Sequence, residues 1–173
     1  MVTGDLGLFG ERVAVALGFL TLTSFLAVAL SCRTFVSLAN RINLGAVVAS
    51  RPYKVFFRYH SIYWWVFLLF LIPHVMAGIM HTSLPKRGDP DAGIHLAILI
   101  AAVGTFGSIT ATFANCRSFA SLLKVFRADK TYTGFYGRFY AWHGYFWLIL
   151  IVFLLGHLIV SYVHVGFWPT KLG

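Results

Sequence analysis

Six of the seven histidines in this chain fall into two copies of one pattern. His60, His74 and His81 are separated by fourteen and then seven residues, and His143, His157 and His164 repeat both intervals. The remaining one, His95, stands outside the pattern. Imidazole titrates near neutrality and can ligate a metal, carry a proton or pair in hydrogen bonds. Along a helix, fourteen residues climb about 21 Å and end about 40° short of whole turns. His60 and His74 therefore share nearly one face at two heights, as do His143 and His157. A lone histidine in a core is more often a hydrogen-bonding group than a ligand. Four at matched heights fit axial ligands on either side of flat metal macrocycles, and ligation by neutral imidazole removes the cost of burying imidazolium.

The matched heights follow from a duplication. CRTFVSL at residues 32–38 returns as CRSFASL at residues 116–122, with cysteine, arginine, phenylalanine, serine and leucine in register. His60 and His143 follow these cysteines at almost the same interval, which gives a tandem repeat with a period near 84 residues. Repeat 1 covers about 13–84 and repeat 2 about 97–167, within a single transmembrane domain spanning 1–173. Drift after duplication preserves apolar character, but hardly three costly polar residues in both copies. The expected fold is an all-α integral membrane protein, a four-helix up-down bundle of two tandem helix hairpins. The second and fourth helices then run parallel, pairing His60 with His143 and His74 with His157.

Composition agrees with that class: 59% of residues are hydrophobic and 11% are charged. Residues 13–32, 59–85, 92–116 and 139–170 contain no Asp, Glu, Lys or Arg. Each exceeds or matches the roughly 20 apolar residues that cross a hydrocarbon core of about 30 Å. The net charge of +9 is topological and does not point to nucleic acid. Arg33, Arg41, Arg51, Lys54 and Arg58 lie between spans one and two, and Arg117, Lys124, Arg127, Lys130 and Arg138 between spans three and four. The middle loop balances Lys86 and Arg87 with Asp89 and Asp91. The positive-inside rule thus predicts cytoplasmic first and third loops and both termini outside. The first span has Asp5, Glu11 and Arg12 before it and no basic leader, so it is expected to be retained. Cys32 and Cys116 then lie on the cytoplasmic side, where a disulfide is not expected.

A macrocycle needs room and neutralised carboxylates. Ala101, Thr105, Ser108, Thr112 and Asn115 form a small-residue stripe, matched in the first span by Thr21, Ser24 and Ser31 but not by Leu17 and Val28. Such stripes serve close helix packing or give space to a porphyrin edge; plain packing is the better reading for the first span. Gly144 and Gly156 sit beside His143 and His157. Arg33 and Arg117 end the first and third spans near the depth of His60 and His143. They suit haem propionates through bidentate forks, with Arg58 or Arg138 beside them, or else snorkel as topogenic charges. Tyr59, Trp64, Trp142 and Trp168 are read as an aromatic belt.

Two histidines fourteen apart on the second span, with two more on the fourth, resemble the haem-binding half of the cytochrome b family. Ferric-reductase-like domains and dihaem cytochrome b anchor subunits of respiratory oxidoreductases share related arrangements. The resemblance covers about 60–164, with the first span included through the repeat. It implies two b-type haems, one on His60 and His143 and one on His74 and His157, and exchange with a quinone or analogous lipid-soluble carrier. The proline-glutamate-tryptophan-tyrosine quinol motif, a flavin or nicotinamide domain and Cys-x-x-Cys-His are all missing from the sequence.

The expectation is thus a dihaem electron-transfer subunit of an oxidoreductase complex rather than a catalyst alone. It would sit in an energy-coupling membrane, most readily a prokaryotic plasma membrane, and carry electrons between a quinone-type carrier and a partner redox subunit. Its partners are then membrane lipid and other subunits of the redox complex. His81 and His164 are expected at the outer surface, with His95 on the same side at the start of the third span; the pair is read as interfacial hydrogen-bonding groups, as quinone-site donors, or as a third haem or metal site. The competing readings are a histidine-based metal or proton transporter, disfavoured because the spans hold no carboxylate, and a haem-free assembly subunit.

Overall fold

A computed structural model describes residues 2–81, 92–116, 118–119 and 138–167, with side chains outside the described set at 2–8, 80, 81 and 165. Arg117, Trp168 and the side chain of His81 therefore lie outside the described residues. The long and short helices are α1 (Val2–Leu30), α2 (Arg33–Arg41), α3 (Gly45–Ala49), α4 (Arg51–Arg58), α5 (His60–His81), α6 (Ala92–Ala114) and α7 (His143–Val165). All regular structure among the described residues is helical. Phe9–Leu30, His60–Ile79, Ala92–Ala114 and His143–His164 are long and apolar enough to cross a membrane. The chain is an all-α integral membrane protein, and each span agrees with one of the four charge-free runs.

The helices belong to two compact units, Val13–Ala77 and Met1–Arg12 with Gly78–Gly173. In Val13–Ala77, α1 and α5 pack antiparallel. Ala14 and Gly18 meet His74, the Phe25 and Phe67 rings lie 5.8 Å apart, and Ser31 meets His60. Falling numbers on one helix against rising numbers on the other define the hairpin. Its core is Phe25 and Val28 of α1 against Trp64, Phe67 and Leu71 of α5.

The connection between these two spans, with its five basic residues, is helical rather than an open loop. α1 ends where Cys32 turns extended (φ −83°, ψ 148°) as the N-cap of α2. α2 stops at Asn43, whose positive φ of 63° suits asparagine better than most side chains. Ser50 caps α4 by accepting from the Tyr53 amide, and Pro52 in the first turn gives up an N–H that would have had no intrahelical partner. The Tyr53 hydroxyl donates to the Leu30 carbonyl at 2.6 Å, satisfying an orphan acceptor at the end of α1. Burial, with nearby Cys32 adding, pushes the Tyr53 phenol above its usual range.

In the second unit α6 and α7 are also antiparallel. His95 meets His164, Gly104 meets Phe153, and the Asn115 amide meets the Phe139 carbonyl just before α7. A Cβ on Gly104 would overlap the Phe153 ring, so glycine is what lets that ring approach α6. α7 ends at Gly166, where a φ of 77° favours glycine and the amide closes onto the Tyr162 carbonyl at 2.9 Å.

The small-residue stripe is buried on both α1 and α6. Thr21, Ser24 and Ser31, like Thr105, Ser108 and Thr112, each donate to a carbonyl one turn earlier in their own helix. The protons of these hydroxyls are therefore satisfied locally, and the stripe presents small contact surface, with Ser31 still able to accept from the facing helix.

Candidate haem-ligand histidines

His74 is set into the first hairpin by backbone. Its Nδ1–H donates to the Ala14 carbonyl at 3.0 Å, because a carbonyl can only accept. In the neutral ring this places the lone pair on Nε2, and a histidine that donates its other N–H to a carbonyl is the usual form of a metal ligand. Gly18 makes the approach feasible: a Cβ there would stand 3.2 Å from His74 Cε1. His74 follows Pro73, which lacks the N–H that would bond one turn back in α5.

His60 is held differently. The Trp64 indole N–H donates to its Nε2 at 3.2 Å, so Nδ1 carries the proton in the neutral ring and donates to Ser31 Oγ at 2.8 Å. The Ser31 hydroxyl in turn donates to the Ala27 carbonyl at 2.7 Å, completing a chain of three donors.

His143, in the second hairpin, repeats half of this arrangement. The Trp147 indole donates to its Nε2 at 3.1 Å, one turn along α7. Tyr140 stacks on the ring at 5.6 Å and 12°. Asn115, the counterpart of Ser31, donates to the Phe139 carbonyl, and its Oδ1 is fully buried and accepts no hydrogen bond from the described residues. His157 is half-buried in the middle of α7. A side chain at neighbouring Gly156, or at Gly144, would meet nothing within 4 Å.

The histidines divide between the two units: His60 and His74 in one, His143, His157, His95 and His164 in the other. The pairing of His60 with His143 and of His74 with His157 rests on the duplicated register. Arg33, at the start of α2, is exposed, as are Arg58 and Arg138, and Arg117 lies outside the described residues. Among the described residues no three His, Cys, Asp or Glu side chains cluster tightly enough to hold a metal ion.

One detail departs from the sequence reading and one adds to it. Trp64 is not a belt residue: it is 1% exposed and bonded to His60, whereas Trp142 is 59% exposed and Tyr59 is 46% exposed. The signal was present as His-x-x-x-Trp in both repeats, the spacing that brings two side chains together on one helix face. Among the described residues the ring that meets His164 is that of His95, a residue without a histidine counterpart in the first repeat, and the pairing of His81 with His164 falls on a side chain outside them.

Comparison with protein-family models, curated proteins and solved structures finds no match to this chain.

Proposed function

We propose that the protein is a dihaem b-type cytochrome subunit that carries electrons between a quinone-type carrier and a partner redox subunit in an energy-coupling membrane. The observation that carries this reading is His74, whose Nδ1–H is fixed by a backbone carbonyl and whose ring is admitted by a glycine on the facing helix. The duplication extends the assignment to His157 and supplies the second pair, His60 and His143.

A haem held by these residues supplies reversible one-electron iron chemistry. The chain's own part is to hold neutral imidazoles at two depths in an apolar setting. The Ala14 carbonyl fixes the tautomer of His74 and raises its basicity as a ligand. At His60 and His143 the Nε2 that would hold iron accepts an indole N–H, so Trp64 and Trp147 would have to release it for a haem to be held there. Arg33 and Arg117 are assigned to propionate carboxylates, which an arginine fork matches in geometry and charge. The first and third loops are assigned to the cytoplasm and both termini to the outside.

Pyridine haemochrome analysis of the purified full-length chain tests this reading. Two b-type haems per chain are expected. Colourless protein after expression with ample haem would end it and favour the transporter or assembly-subunit alternatives.

A further inference from the structure

His95 and His164 meet where α6 begins and α7 ends, with ring centroids 5.1 Å apart and planes at 84°. Both lie in one compact unit, and both are half-buried. Neither belongs to the four proposed haem ligands. The separation is informative. With metal–nitrogen bonds of about 2.0 Å and about 1.1 Å from nitrogen to ring centre, two imidazoles on a tetrahedral ion have centroids about 5 Å apart. On opposite sides of a haem iron the same bonds would give about 6 Å. The observed spacing is that of an edge-to-face ring pair and leaves room for two ligands on one bent ion, while it is too short for a macrocycle between them.

We infer that His95 and His164 form a binding site for a divalent first-row transition ion such as zinc, separate from the haem-ligand histidines. Imidazole suits zinc, copper and nickel and not magnesium or calcium, which take oxygen ligands. The two rings come from the two helices of one hairpin, so a bound ion ties the start of α6 to the end of α7. Among the described residues no third His, Cys, Asp or Glu joins them. A two-imidazole set completed by water gives moderate affinity, suited to a reversible, regulatory ion rather than a permanently held one.

The test is a zinc titration of the purified, chelator-washed full-length protein, read by thermal melting and by competition with a chromogenic chelator. His95→Gln and His164→Gln should each weaken zinc binding at least tenfold and abolish the zinc-induced rise in Tm. The double variant should lose no more than either single. His95→Cys and His164→Cys exchange one zinc ligand for another and should retain binding. Wild-type affinity in the glutamine variants, or equal loss in the glutamine and cysteine variants, would overturn the inference. The haem spectrum is a separate readout: a chain without haem that binds zinc through this pair would sink the cytochrome reading and leave this one standing.

Discussion

The two hairpins use the same means to seat an aromatic ring between helices, but at different positions. In the first, Gly18 of α1 admits the imidazole of His74. In the second, Gly104 of α6 admits the phenyl ring of Phe153, and the position equivalent to Gly104 in the first hairpin is Leu20, 47% exposed. Their histidine ends differ in a similar way. His60 and His143 both accept an indole N–H from the residue one turn on. Ser31 then takes the Nδ1–H of His60 across the helix interface, whereas Asn115 spends its amide on the Phe139 carbonyl. Duplication has kept what a helix controls by itself, the His-x-x-x-Trp turn. It has altered what depends on the facing helix, because each interface repacks as a unit.

Substitutions can break or sharpen this contrast. The largest effect is expected at Gly104. Gly104→Leu forces a side chain into Phe153 and should destabilise the α6/α7 hairpin by roughly 3 kcal/mol, while Leu20→Ala on the exposed face should stay within about 0.5 kcal/mol. Thermal or denaturant unfolding in detergent checks both, and equal effects would dissolve the contrast between the hairpins. Ser31→Ala comes next. It removes the acceptor of His60 Nδ1–H and should cost about 2 kcal/mol, against about 1 kcal/mol for Asn115→Ala, which deletes one amide bond together with a buried oxygen. Nitrogen-15 shifts of His60 should report the change at Nδ1 in the first variant only.

A smaller and symmetrical effect is expected for Trp64→Phe and Trp147→Phe. Each loses one hydrogen bond to a histidine, half-buried His60 or buried His143, worth about 1 kcal/mol, and unfolding of the two should agree closely. The smallest effect is Gly18→Ala, which asks the His74 ring to give by a few tenths of an ångström. It should lower stability by less than about 1 kcal/mol and, on the cytochrome reading, shift the potential of the haem on His74. Gly78→Ala, where a Cβ meets nothing, is the control.

The four spans were legible because charge-free runs of this length have few other uses, and their helices begin or end within a few residues of the flanking charges. The helices α2 to α4 were hidden, since their many basic residues read as a loop when charge is counted without helical period. The His-x-x-x-Trp pairs were legible in spacing but masked by the habit of assigning tryptophan near a span end to the interface. The meeting of His95 with His164 was not legible from the repeat. Position 11, which aligns with His95, holds glutamate, so comparing the two copies gave no reason to single out His95. The up-down topology did put His95 and His164 at the same end of their hairpin, and the antiparallel register of α6 and α7 brings the two rings into contact.

The central claim is that the repeated histidines hold b-type haem, and a reduced-minus-oxidised absorption spectrum of wild type beside His60→Ala and His74→Ala tests it most directly. The account predicts a b-type signal that falls by about half in each variant, with the helical content unchanged. A missing signal in wild type, or full wild-type amplitude in both variants, would contradict it.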